Sequence, residues 1–483
     1  MSFNYKQTDF EVDLENQEKG PETSWMCWGK TRFLILFIGL VCITCTNANM
    51  ILMNFTVICM NDVISEQKTT FTNGTHWLEK SSDISLTFSA AAVGAIFGTI
   101  PAVTLIARYG IRRVLSVYGL LSAAGTILTP LAVEYGLIPV LIARFFQGVG
   151  ASVLYSSIGT ISESWSPITE IGTFVAFLSS AFQISNIVTM PTAGFLCEPS
   201  LGWRSIYYIF GGITVVLYIV FYWYYNDAPD KHKNVGKKEL RRIRDGKIIT
   251  SSTIKTQLQV KYSQIFTNWE VFEITLAIIG GSASVICLNN YGPIYLNKVL
   301  GLNIRETGYS NAIPYFFAAI VKFAAGPITD KLAHITERVS LFTVVPPFDI
   351  FFQIRLIMFA FVPQVAMAIG YLVMSFTSHV IIAQVAYTFS VVLAGLNVIG
   401  MVKCAQIVAE KHLALIMAVI SMSSWVSAFI LPIVIGIICP TNSHAEWSRF
   451  YLFVAIFVIL TNIPFPFLAR VSGRKRVAPE TKF

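Results

Sequence analysis

Charge is scarce in this chain. Asp, Glu, Lys and Arg make up 13% of its 483 residues, about half the share a soluble domain carries. With 54% of residues hydrophobic and a mean hydropathy of +0.62, one water-soluble core is excluded and lipid is required as solvent. Catalytic signatures are missing as well. There is no Walker loop, no dinucleotide fingerprint and no His-Glu-x-x-His helix, so neither an ATP-driven pump nor a membrane enzyme is supported, and no cofactor or metal is expected. The eight cysteines suggest neither a zinc site nor a disulfide framework. Cys42 and Cys45 lie inside an apolar stretch and are read as packing residues. Cys59, Cys197 and Cys439 fall near one membrane face, where a bridge among them is a minority option beside free thiols. A cleavable leader is not expected, because the first 30 residues are polar and mildly acidic and the first apolar run is long enough to remain as a span.

Only helices or closed barrels satisfy their backbone in a bilayer. A barrel would show alternating segments of roughly 10 residues. Here the apolar runs are continuous over about 20 residues, which predicts helices. The expected spans are 33–59, 84–106, 114–133, 138–161, 171–196 and 206–225, then 271–296, 308–329, 354–376, 380–402, 413–438 and 450–468. The reading is an all-α membrane protein of about twelve spans in two six-helix pseudo-repeats. It divides into a tail (1–32), a first bundle (33–225), a basic linker (226–268), a second bundle (269–469) and a second tail (470–483).

The net charge of +8 does not signify nucleic-acid binding, because the excess sits in loops that alternate onto one side of the membrane. Lys30 and Arg32, then Arg108, Arg112 and Arg113, the linker, Lys331, Arg338 and Arg474 share that side, which the positive-inside rule makes cytoplasmic, with both termini. The opposite side carries Asn73-Gly74-Thr75, a glycosylation sequon at Asn73. Asn54-Phe55-Thr56 matches too, but lies within a span.

The turn from Ala107 through Arg108, Gly110, Arg112 and Arg113 has a counterpart in Gly326-Pro327-Ile328-Thr329-Asp330-Lys331, at the same place in the second half. These turns resemble the loop signature of the major facilitator superfamily, in which charge pairs and helix-end dipoles hold neighbouring helices and gate movement. The acidic position is Asp330 in one half but Ala107 in the other. From span 2 onward the resemblance narrows. Arg144-Phe145-Phe146-Gln147-Gly148, Trp165-Ser166-Pro167, Met190-Pro191-Thr192-Ala193-Gly194, Gly202-Trp203-Arg204, Ala228-Pro229-Asp230, Gly308-Tyr309-Ser310, Gly395-Leu396-Asn397 and Glu446-Trp447 occur in register. Together they look like the anion/cation symporter family that includes sialin, vesicular glutamate transporters and sodium–phosphate cotransporters.

That resemblance implies a secondary transporter of organic anions or inorganic phosphate, working by alternating access as a monomer. Its drive would be a proton or sodium gradient or the membrane potential, and its home a plasma, vesicular or lysosomal membrane. Arg144 is the foremost candidate ligand, since a charge in the bilayer core costs about 2.5–3.5 kcal/mol and is kept where it faces a cavity or a partner. Gln147, Asn289, Asn290, Tyr291, Asn397 and Lys322 complete the candidate substrate set, and Gly94 with Gly98 reads as a close-packing pair. Three departures stand out. The span 1 position where relatives carry Arg is Leu52, the span 4 Glu used for coupling is Ala151, and the span 7 Arg of the glutamate carriers is Gly281. They keep open two alternatives, a non-transporting receptor or scaffold on the same fold and an uncoupled uniporter. One segment, 344–353, breaks the family's register. It opens on Val and closes on Phe-Phe-Gln, as a retained intron would, and a genuine insertion is the other reading.

Overall fold

The computed structural model describes residues 30–60, 62–65, 76–197, 202–245, 269–342, 361–409 and 413–464; within them, 269–274, 325–342, 396–409 and 413–420 are described for their backbone only. The sequon Asn73 and the register break at 344–353 lie outside the described residues.

The first half builds α1 (Thr31–Thr56), α2 (Ser81–Tyr109), α3 (Ile111–Tyr135), α4 (Leu137–Ala151), α5 (Leu154–Trp165), α6 (Ile171–Ser179), α7 (Ala181–Leu196) and α8 (Trp203–Tyr224). Expected spans 4 and 5 are thus each interrupted once, α4 from α5 at Ser152 and Val153, and α6 from α7 at Ser180. A short helix, α9 (Lys237–Arg244), forms within the basic linker, where the sequence reading placed only a polar stretch. The second half contains α10 (Trp269–Ile294), α11 (Ile304–Phe342), α12 (Val362–Phe376), α13 (Val380–Ala409), α14 (Leu413–Ile438) and α15 (His444–Asn462). A 26-residue helix such as α1 is about 39 Å long at 1.5 Å per residue, enough to cross a hydrocarbon core of about 30 Å. Among the described residues, eight helical stretches are long and apolar enough to cross a membrane, and two shorter ones are apolar.

Packing follows the pseudo-repeat. In the first half α4 lies against α2 and α3, and α1 against α7 and α8; in the second, α12 lies between α13 and α15, and α10 against α14 and α15. The halves meet along two seams. The second span of the first half (α2) packs on the fifth of the other (α14), and the fifth span of the first half (α7) packs on the second of the other (α11).

Backbones approach closely where glycine allows it. A Cβ on Gly94 would stand 2.0 Å from the Phe145 carbonyl oxygen, and one on Gly148 would stand 1.8 Å from that of Ala91. Gly94 and Gly148 therefore set the α2–α4 distance from both sides, and Gly98, facing Ser152, extends the seam.

The two ends of the molecule differ. At one end Cys59 is bridged to Cys197, tying the end of α1 to the end of α7, while Cys439 stays a free, buried thiol. Cys42 and Cys45, within α1, are also free. At this disulfide end the halves are bound to each other. Ser81 Oγ donates to the Cys439 carbonyl and Ser89 Oγ to that of Phe429, while the Ser85 and Tyr291 hydroxyls share a hydrogen bond. Tyr291, Tyr295, Trp447 and Tyr451 pack ring to ring behind these contacts.

The opposite, basic end is tied within the first half. Arg32 pairs with Glu170 at 3.0 Å, Arg242 of α9 pairs with the other oxygen of Glu170 at 2.8 Å, and the Arg32 amide donates to Glu239 of α9 at 2.9 Å. Ile243 is buried beneath α9. His232 anchors the approach to this helix. Its Nδ1 accepts from the Asn234 amide at 3.2 Å, leaving the proton on Nε2, 3.0 Å from the Tyr224 carbonyl oxygen.

Two outcomes follow. Gly148→Ala forces α2 and α4 apart and should lower stability by about 1–3 kcal/mol, as overpacking does; an unchanged melting temperature of the purified protein would refute the seam. Burial lowers the His232 pKa, with the Tyr224 carbonyl and Glu239 opposing in part. A base with a depressed folded pKa contributes its stability above the unfolded value, about 6.5, and loses it as pH falls toward the folded one. Acidification below about 6.5 should therefore speed proteolytic cutting of 225–245 in wild type and have less effect in His232→Asn, where an amide oxygen replaces the Nδ1 acceptor without titrating.

Candidate functional site

Between the halves lies a cavity of about 190 Å³. Its wall includes Arg144 of the first half and Lys322 of the second, and both side chains are buried, at 2% and 0% exposure. Phe88, Tyr155, Phe182, Tyr315 and Trp425 supply aromatic wall, and Asn47, Asn289 and Asn290 supply polar wall. No Asp or Glu is among the described lining residues, and neither cation has a carboxylate within ion-pair distance among the described residues.

Arg144 is held by neutral oxygens. Its Nη1 donates to the Met50 carbonyl of α1 and to Gln147 Oε1, both at 2.7 Å, and its Nε donates to the Thr87 carbonyl of α2 at 3.2 Å. Gln147 is placed behind Arg144, not on the cavity wall. One turn further along α4, it accepts from the guanidinium and donates to Thr126 and Thr129 of α3 at 3.1 and 3.3 Å. A fully buried amide thus orients a fully buried cation, at a lower desolvation cost than a buried carboxylate would carry.

Lys322 has an equivalent solution across the seam. Because Ser180 interrupts the fifth span, the Gln183 amide bonds back to the Ser180 carbonyl rather than to Ser179. The Ser179 carbonyl takes Lys322 Nζ at 2.9 Å, and Gln183 Oε1 takes it at 3.2 Å. The interruption in the helix creates the acceptor that the lysine uses.

The remaining sequence-predicted residues divide. Asn290 Oδ1 accepts from Asn54 of α1 at 3.1 Å, and Asn289 Oδ1 accepts from the Tyr315 hydroxyl. Tyr291 is not on the cavity wall but in the aromatic packing of the disulfide end, edge-on to Phe88 at 5.2 Å. Asn397 lies on α13, and Asp330 and Lys331 on α11, at positions where the side chains are not described. Among the turn residues, Arg108 sits over the Tyr109 ring and Arg113 is exposed. Arg112 donates through Nε to the Tyr222 carbonyl at 2.6 Å and through Nη1 to Asn226 at 3.3 Å. The turn also meets a carboxylate that sequence reading missed. Asp227 accepts from the Arg112 amide at 2.9 Å, at the N-terminus of α3. Gly110, at φ +80°, leaves room for that carboxylate, since a Cβ there would lie 2.2 Å from Asp227 Oδ2.

Of the three departures, only Gly281 lines the cavity. Leu52 is fully buried in the core of the disulfide end and Ala151 in that of the basic end. Trp425 and Tyr155 were also missed; single aromatic residues in an aromatic-rich membrane sequence give no signal that separates cavity wall from core. Trp425 carries a buried indole N–H with no acceptor among the described residues.

Comparison with known proteins agrees with this geometry. The model of the Major Facilitator Superfamily matches residues 36–406. Human sialin is 22% identical over 366 residues, covering 75% of this chain and 70% of sialin. The mouse sodium-dependent phosphate transport protein 1 is 24% identical over 378 residues and 78% of both chains. Human vesicular glutamate transporter 2 is 24% identical over 374 residues, covering 75% of this chain and 60% of its own. Among solved structures, the xylose transporter XylE from E. coli in a partially occluded inward-open conformation superposes with a TM-score of 0.65 at 17% identity, over 94% of this chain and 99% of that one. A bacterial homologue of the human lysosomal transporter Spinster superposes with a TM-score of 0.63 at 13% identity, over 93% and 99%. The chain is therefore an all-α integral membrane protein that belongs to the Major Facilitator Superfamily, as a divergent member similar to its anion/cation symporters.

Proposed function

We propose that this protein is a secondary transporter of small organic anions that works by alternating access, with Arg144 as the primary anion ligand. The observation that carries this reading is the buried guanidinium on the wall of a cavity between two six-helix halves. It is oriented by neutral oxygens and has no described carboxylate to neutralise it. A buried cation in a low-dielectric site attracts an anion far more strongly than the same cation in water. The relatives' names, which include a phosphate transporter and a glutamate transporter, support the same substrate sign.

The drive follows from the same wall. With Ala151 in apolar packing and no described carboxylate on the cavity, the site favours membrane potential acting on the substrate's own charge. That potential supplies about 2.3 kcal/mol per elementary charge for each 100 mV. The basic end, with both termini, would face the cytoplasm by the positive-inside rule. Domain boundaries near 226 and 268 would let the halves rock about the cavity.

Proteoliposomes holding the purified protein test this. Uptake of labelled organic anions should follow an imposed inside-positive voltage. Arg144→Gln should cut it by on the order of ten- to a hundredfold, the worth of a charge-assisted hydrogen bond, with Arg144→Lys intermediate. Uptake that survives Arg144→Gln would retain the transporter and remove the ligand assignment. Absence of any flux from folded protein would favour the receptor reading, and uptake dependent on protons or sodium alone would overturn the voltage drive.

A further inference from the structure

The cavity holds two cations where one would serve a simple anion. Arg144 is anchored on α1 and α2, whereas Lys322 comes from the other half and is anchored on α6 and α7. They therefore approach the same space from different walls. Burying two positive charges in a membrane protein is costly unless both are matched, and no described carboxylate matches either. Both groups are held but not exhausted. Arg144 spends Nε and Nη1 on the protein, and Nη2 donates to none of the described residues. Lys322 spends two of its three N–H groups, both on neutral oxygens.

The remaining wall is aromatic. Tyr155 stacks on Phe182 with centroids 5.0 Å apart, and Phe182 immediately precedes Gln183, the amide that holds Lys322. Phe88 follows Thr87, whose carbonyl holds Arg144. Both rings line the same cavity as the two cations. Trp425 offers the further orphan donor noted above. Such a wall is poorly suited to a compact, fully hydrated anion such as phosphate, whose hydration shell would have to be given up against carbon.

Resting on the reading of the cavity as an anion site, we propose that its substrate class is organic dianions with an aromatic or apolar body. One acidic group would pair with Arg144 and the second with Lys322, making Lys322 a specificity-determining residue. The second acidic group would compete with Ser179 and Gln183 for the ammonium. A dianion bound in this way would exchange the Lys322 contact to the first half for a contact to substrate.

The test is equilibrium binding to the purified full-length protein in nanodiscs, with matched probe pairs: benzoate against benzene-1,4-dicarboxylate, and phenylacetate against benzene-1,4-diacetate, with inorganic phosphate alongside. In wild type the dianion of each pair should bind on the order of ten- to a hundredfold more tightly than its monoanion, the worth of one further charge-assisted contact, and phosphate should bind weakest. In Lys322→Met that ratio should fall toward parity, and Lys322→Arg should restore part of it. Mono- and dianions of equal affinity in wild type would overturn the proposal while leaving the anion site intact. A ratio unchanged in Lys322→Met would also overturn it, assigning Lys322 a purely structural role between the halves. Phosphate outranking the aromatic probes would overturn the substrate class. If Lys322→Met does not fold, the wild-type ranking and Lys322→Arg decide. Failure of every anion to bind to folded protein would remove the anion-site reading itself, and this inference with it.

Discussion

Arg144 places a charge in the membrane interior where no described carboxylate answers it, and much of the first half is organised around that burden. Two of its acceptors are main-chain carbonyls on α1 and α2, which are available only because those backbones come close to α4. The glycines of the α2–α4 seam make the approach possible, and Gly148 stands one turn from Arg144 on the same helix. Gln147 then brings in α3 through Thr126 and Thr129. Four spans therefore converge on one guanidinium. A carboxylate partner would have answered the charge more simply, but it would also have removed the positive character of the cavity.

Lys322 applies the same logic across the interface between the halves, and here the difference matters for mechanism. Arg144 is held within the first half, whereas Lys322 of α11 is held by α6 and α7 of the opposite half. Any motion that slides α11 along α7 must break the second set and leave the first intact. The glycines at this seam permit sliding contact: a Cβ on Gly308 would meet the Met190 carbonyl at 2.8 Å, and Gly194 lies beside Gly308. In the proposed transport cycle, Arg144 is a fixed ligand and Lys322 one whose protein partners change.

Much of this was legible in the chain, for identifiable reasons. Span positions follow from apolar runs longer than any soluble helix needs, and Arg144 stood out because lipid makes a retained charge expensive. The role of Gln147 was not legible. Spacing puts it on the same face as Arg144, but only the positions of Thr126 and Thr129 show that it faces away from the cavity. Asp227 was missed because it reaches the turn at Ala107 from 120 positions away, and a local pattern cannot register a carboxylate supplied by a different helix end. The interruption at Ser180 was hidden inside a run that reads as one continuous span, although it frees the carbonyl that receives Lys322. The α9 helix was obscured because Ile243 and Glu239 point into the first half from a sequence that otherwise reads as solvated charge.

The three departures from the related symporters take on a different meaning once they are located. Leu52 and Ala151 are packed with no exposure in apolar cores at opposite ends, so neither position opens onto the cavity. Only Gly281 opens onto the cavity, where the absence of a side chain adds room. A transporter that had simply decayed would leave its remaining charges without support. Arg144 and Lys322 instead are each held by neutral acceptors, which depend on a precise seam and on an interrupted helix. Arg144 of α4 and Lys322 of α11, which reaches across the interface, both place positive charge on the cavity wall. On the proposed reading, a cavity walled by two cations with no described carboxylate suits an anion whose own charge responds to the membrane potential.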